Sequence, residues 1–156
     1  MIKYRVRLVF SEDMKRAISP KIAYRGIQLG TKTIARNLVK TAKRGIRLKR
    51  SKTGRLYRIG AGRVHQASAP FEYPANLSGD LQKSVGHEMN GLDFTFGADT
   101  PYAMFLQQYE HANSKTPLPI KMKPRPYLTK AHDENKATFV KVMETSFAKL
   151  TGFKEG

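Results

Sequence analysis

The sequence predicts an α+β fold: an antiparallel sheet with a long helix in the N-terminal half and a helix at the C-terminal end, plus a projecting basic loop. Three patterns carry that expectation. Apolar and basic side chains alternate strictly at the start of the chain, a helical apolar stripe follows, and an Asn-Gly pair lies between two further alternating runs. The 156 residues suit a single domain, 1–156, around one core, with an arm of about 47–76 attached to it.

Ile2, Tyr4, Val6, Leu8 and Phe10 share one face of the first segment, and Lys3, Arg5 and Arg7 the other, as in a half-buried strand. Ser19-Pro20 reads as a helix start, with a hydroxyl to accept a free N–H and a proline suited to the first helical position. Ile27, Ile34, Leu38, Ala42 and Ile46 then line one stripe of a helix over 20–46. Gly26, Gly30 and Gly45 weaken that helix by about 1 kcal/mol each relative to Ala where exposed. Gly26 and Gly30 lie one turn apart, and either a close neighbour or a bend accounts for them.

Residues 47–76 hold Gly54, Gly60, Gly62, Pro70 and Pro74 and show little periodicity. They read as a long irregular loop projecting from the domain, with a hairpin around Arg55 to Arg63 as the alternative. A short helical turn is expected near Leu77 to Ser84. Asn90-Gly91 then marks a hairpin. A two-residue loop at that pair sets Met89 against Leu92, His87 against Phe94 and Val85 against Phe96 on one face, with Glu88 opposite Asp93 on the wet side. Pro101 opens a further helix carrying Tyr102, Ala103, Phe105, Leu106 and Tyr109, and Pro117, Pro119, Pro124 and Pro126 make 112–126 an extended loop. Leu128, Ala131, Asn135, Phe139, Val142, Ser146 and Leu150 give a last helix, from near Pro126, a mostly apolar face.

The net charge is +17, and its distribution is informative. Residues 14–71 contain 16 Lys and Arg and no acid, which leaves 13 Lys and Arg against 12 acids for the rest of the chain. Such a block repels itself and meets a polyanion or an acidic protein face. Lys40, Lys43, Arg44, Arg47, Lys49, Arg50, Lys52, Arg55, Arg58 and Arg63 are its densest part, with Tyr57 among them to stack on a base or an arginine. Lys40, Lys43, Arg44 and Arg47 are spaced to share one side of the long helix's end, where cations suit the helix dipole. No base-reading module is present, so any DNA contact is to phosphate and strongly salt-dependent.

Cysteines are absent, which excludes disulfides and thiolate metal sites. No secretory signal and no run long enough for a membrane helix is visible, so no membrane partner is expected. His65, His87, His111 and His132 are scattered without metal-ligand spacing, and the expected cofactor is none. No nucleophile elbow occurs, and the glycine pair Gly54 and Gly60 lacks the Gly-Lys-Ser/Thr ending of a phosphate loop. A magnesium-dependent nuclease would need clustered carboxylates, for which Glu88 and Asp93, with Asp99 and Lys83 nearby, are the candidates. A non-enzymatic role is the expectation, with a free, sequence-independent DNA-binding protein as the second reading and the nuclease as the third.

Four blocks in order carry a resemblance. Ala67-Ser68-Ala69-Pro70-Phe71-Glu72-Tyr73-Pro74-Ala75 is followed by Ser78-Gly79-Asp80-Leu81-Gln82-Lys83-Ser84-Val85, then Pro101-Tyr102-Ala103, then Lys123-Pro124-Arg125-Pro126-Tyr127-Leu128. They resemble the tailed-bacteriophage neck family of head–tail joining, minor tail and tail-completion proteins. That family carries Ala-Ser-Ala-Pro-Gly-Glu-x-Pro-Ala, Thr-Gly-x-Leu-x-x-Ser-Ile, Tyr-Ala-x-x-x-Glu and Pro-Ala-Arg-Pro-Phe-Leu. Phe71 stands where the family has Gly, Ser78 where it has Thr, and Gln107-Gln108 where it has Glu-x-Gly.

The resemblance spans about residues 20–150 and implies an α+β virion subunit. It implies a homo-oligomeric ring at the head–tail junction, between head-completion or adaptor proteins and tail-terminator or tail-tube proteins, with DNA passing through and no catalysis. Under it, Pro70, Pro74, Gly79, Leu81, Tyr102, Pro124, Arg125, Pro126 and Leu128 are fold determinants; Gly79 allows a tight turn, and Pro124 to Leu128 sets the approach to the last helix.

Overall fold

The computed structural model describes residues 2–4, 19–48, 52–107 and 124–151. The rest of the alternating first segment, Lys49, Arg50, Tyr109 and most of the proline-rich stretch lie outside them. The fold is α+β, as the patterns predict. In chain order the elements are β1 (Ile2–Tyr4), α1 (Pro20–Arg47), β2 (Leu56–Ile59), β3 (Arg63–Gln66), α2 (Asp80–Ser84), β4 (Val85–Asn90), β5 (Asp93–Ala98), α3 (Ala103–Gln107), α4 (Tyr127–Asn135), a 3-10 turn (Lys136–Thr138) and α5 (Phe139–Thr151).

The long helix begins as its sequence dictates. The Ser19 hydroxyl accepts a hydrogen bond from the Ile22 amide at 3.4 Å, and Pro20 opens the first turn. Ile34, Leu38, Ala42 and Ile46 are buried, and Ile27 packs against them at the edge of the core. Thr31 and Ala35 are buried too, so the stripe is wider than the large apolar residues alone indicate. α1 touches β4 and β5 of the sheet and also α4 and α5.

Gly26 and Gly30 mark a close approach rather than a bend. A Cβ on Gly26 would lie 2.6 Å from the Phe147 ring, and one on Gly30 would run into the Met143 thioether. Helix α5 therefore lies close against α1. The two run antiparallel: Gly26 meets Phe147, Gly30 meets Met143, and Asn135, just ahead of α5, donates to the Thr41 hydroxyl at 2.9 Å.

The main sheet has the order β1-β5-β4, all antiparallel. Its hairpin differs from expectation in register. Met89 faces Phe94, His87 faces Phe96 and Val85 faces Ala98, so the turn consists of Gly91 and Leu92 rather than Asn90 and Gly91. Gly91 has φ +62° and Asn90 does not enter the left-handed region, the pattern of a turn with glycine at its first central position. The slip is two residues in the pairing sum, an even number, so Val85, His87, Met89, Phe94 and Phe96 still share a face. Leu92 leaves that face for the turn. Glu88 lies opposite Thr95, and Asp93 opposite Asn90, so the expected facing carboxylates do not form.

The single C-terminal helix predicted from spacing is two helices joined by a 3-10 turn. The Asn135 side chain bonds back to the Ala131 carbonyl at 2.8 Å while the Thr138 hydroxyl takes the Asn135 carbonyl at 2.7 Å. These local side-chain bonds compete with the helical ladder. The apolar stripe survives the break, with Leu128, Ala131 and Ser146 buried and Phe139 and Val142 partly so; Leu150 is exposed and Met143 joins the core.

The tight contact at Gly26 generates a stability prediction. Gly26→Ala should lower stability by about 1–2 kcal/mol, because overpacking against Phe147 outweighs a helix-propensity gain of about 1 kcal/mol. Urea unfolding midpoints measure it, and an unchanged or higher midpoint would mean that α5 does not lie this close.

Candidate functional site

The block of positive charge divides between the end of α1 and a small hairpin. β2 and β3 pair antiparallel from Leu56 opposite Gln66 to Ile59 opposite Arg63, so the segment predicted as an irregular loop contains the alternative hairpin. Beyond the strands, the Gly54 amide donates to the Ala67 carbonyl and the Ala67 amide to that of Arg55, both at 3.0 Å. Lys40, Arg44, Arg47, Arg55, Tyr57, Arg58 and Arg63 are exposed, and Lys43 is half-buried. The Arg55 guanidinium lies 5.7 Å from the centre of the Tyr57 ring.

Lys52 departs from the expected contact set. Its residue is 5% exposed, and its Nζ donates to the Gly45 carbonyl at 2.9 Å and the Tyr73 carbonyl at 2.7 Å. The Gly45 carbonyl is among the last of α1, which have no partner within the helix, so the buried ammonium completes the helix end. Burial lowers the Lys52 pKa to about 8; the nearby Glu72 carboxylate opposes that fall and the Lys130 charge adds to it. Lys52 and Lys130 lie 5.8 and 5.4 Å from the Tyr73 ring centre.

Glu72 is the functional counterweight that spacing did not reveal. Its carboxylate accepts from the Thr53 hydroxyl at 2.6 Å, the Thr53 amide at 3.1 Å and the Ala69 amide at 2.8 Å. Burial pushes its carboxyl up, but the Thr53 hydroxyl, the two amides and the Lys52 charge outweigh that and hold it below the ordinary carboxylate range. The available signal was its position as the first acid after Asp13.

The segment around Glu72 ties the hairpin base to the approach of α4. Arg125 donates to the Ser68 carbonyl through Nε at 3.2 Å and Nη2 at 2.8 Å. The Phe71 amide donates to the Pro124 carbonyl at 3.0 Å, and the Arg125 amide to that of Leu106 at 2.7 Å. Gln107 closes the same junction: its Oε1 accepts from the Leu128 amide at 3.1 Å and its Nε2 donates to Thr129 at 2.8 Å. The free N–H of a helix's first turn is thus satisfied from a distant element.

Pro74, Pro126, Leu81 and Leu128 are buried, Pro124 is half-buried, and Pro70 and Tyr102 are exposed. Gly79 has φ +91° immediately before α2, the turn its sequence predicts. Phe71 has φ +64°, a left-handed conformation that a bulky side chain rarely adopts.

Among the described residues, no three His, Cys, Asp or Glu side chains group to hold a metal, and no helix is long and apolar enough to cross a membrane. No family model, curated protein or solved structure matches the chain.

Two predictions follow from this geometry. Phe71→Gly and Phe71→Ala both remove the ring, but only glycine relieves the left-handed backbone. The glycine variant should be the more stable of the two by about 1 kcal/mol, and equal unfolding midpoints would contradict the conformation. For Lys52, the unfolded chain holds its proton up to a pKa of 10.5, whereas the folded chain releases it at about 8. Between those values the stability of the protein, measured relative to Lys52→Met, should therefore rise with pH. A difference that stays flat across the window would show that the ammonium is not desolvated.

Proposed function

We propose that this chain is a non-enzymatic structural component of a tailed-phage virion. It forms a homo-oligomeric neck or tail-completion ring that joins the DNA-filled head to the tail, in contact with head-completion or adaptor proteins and tail-terminator or tail-tube proteins. The observation that carries the reading is the meeting of the motif blocks. The Ala67–Ala75 block, the Tyr102–Gln107 block and the Pro124–Leu128 block are joined by hydrogen bonds through Arg125, Phe71 and Gln107. Phe71 supports it further, since a positive φ is what a glycine in that place would serve.

In this reading the junction held by Arg125, Phe71 and Gln107 is scaffolding, and the exposed arginines of the hairpin are the working surface. Subunits of such rings often associate only on their neighbour, so a monomeric protein in solution is compatible with it.

A phage lacking this gene should yield separate DNA-filled heads and finished tails by negative-stain electron microscopy. Joined, normal virions would reject the role.

The second reading, a free DNA-binding protein, draws on the exposed Arg44, Arg47, Arg55, Arg58 and Arg63 beside Tyr57. It predicts duplex binding of any sequence, weakening steeply as salt rises, with a shallower salt slope in an Arg55→Ala, Arg58→Ala variant. Absence of binding at low salt eliminates it. The facing carboxylates on which the nuclease reading relied are not formed.

A further inference from the structure

The basic hairpin carries an apolar patch that phosphate contact would leave unused. Strand alternation puts Leu56, Arg58, Val64 and Gln66 on one face and Tyr57, Ile59, Arg63 and His65 on the other. Leu56 is 62% exposed and Val64 60%. They are diagonal neighbours on one face, so they form one patch rather than two isolated side chains. Both line an open cavity of about 240 Å³ whose other walls are Ile46, at the end of α1, Ala75, beyond the Glu72 segment, and the polar residues Lys52, His65, Gln66 and Asn76, so apolar and polar groups share the lining. This volume is below the roughly 300 Å³ at which small-molecule sites begin.

Cations predominate around the groove. Arg44 and Arg47 occupy the last turn of α1, and Arg58 shares the hairpin face with Leu56 and Val64. No acid occurs between Asp13 and Glu72, and the Glu72 carboxylate already accepts three hydrogen bonds. The field therefore selects an anionic partner. Apolar side chains at the centre with arginine around them are the anatomy of a protein–protein contact. Duplex phosphates would engage the arginines and leave Leu56 and Val64 in water.

We propose that the groove between the β2–β3 hairpin and the end of α1 docks an acidic segment of another protein, which lays one aliphatic or aromatic side chain against Leu56 and Val64, beside Ala75. This deepens the proposed structural role, on which it rests for its setting, by naming the chemistry of the partner that the basic segment meets.

The test uses the full chain at physiological ionic strength and three fluorescent probes: a glutamate-rich peptide containing one leucine, the same peptide with serine in place of leucine, and a short DNA duplex. The leucine peptide should bind about tenfold tighter than the serine peptide. Leu56→Ser with Val64→Ser, both at exposed positions, should abolish that difference and keep the weaker, charge-driven binding. Equal affinity for the two peptides overturns the proposal without reference to any variant's folding. Tighter binding of the duplex, unchanged in the double variant, overturns it in favour of nucleic acid. Neither result bears on whether heads and tails join without the gene, so the docking proposal and the ring role fail separately.

Discussion

Burial of α1 along its length is the constraint on which the rest of the structure depends. A 28-residue helix with Ile34, Ala35 and Leu38 completely buried has to be covered by the sheet and by the C-terminal helices together. Small residues make that possible. Gly26 and Gly30 let Phe147 and Met143 lie against the helix, and Gly45 lets the Tyr73 ring do so, where a Cβ would stand 2.5 Å away. The local cost in helix propensity is offset by packing density that larger residues would prevent.

The end of α1 is also where charge becomes organised. Beyond α1, the rest of the acid-free segment, from Lys52 to Phe71, cannot pair its cations internally. Two side chains at its boundaries anchor it. Lys52 turns inward to close the helix end, and Glu72 accepts from both Thr53 and Ala69, drawing the two arms of the hairpin together. The remaining arginines are thereby presented outward on a defined base. The placement of the hairpin arginines follows from hydrogen bonding by Lys52 and Glu72 at the hairpin's base.

Much of this was legible in the chain. The Ser19-Pro20 start, the stripe from Ile27 to Ile46 and the alternation of Val85 to Phe96 each follow from a period or a cap that acts locally, and each appears in the structure. The hairpin turn was misplaced because Asn-Gly satisfies a turn with two left-handed residues, whereas Gly91 serves as the first residue of a turn that needs only one. Face assignment survived, since parity depends on even spacing and not on the turn. The 3-10 break has no mark in the pattern, because Asn135 and Phe139 keep the helical spacing across it and the competing bonds of Asn135 and Thr138 concern side-chain geometry.

The sequence by itself determined the fold class, the faces of its elements and the concentration of positive charge, because periodicity and charge density are properties of neighbours along a chain. Only the tertiary structure decided which cations are displayed. Lys52 is indistinguishable from Lys40 or Arg55 in sequence, yet it is buried because the Gly45 and Tyr73 carbonyls converge on it from elements 7 and 21 residues away. The same holds for Leu56 and Val64, whose exposure beside Ile46 and Ala75 depends on how the hairpin leans on the end of α1. Long-range convergence has no period, and for that reason no signature in the sequence.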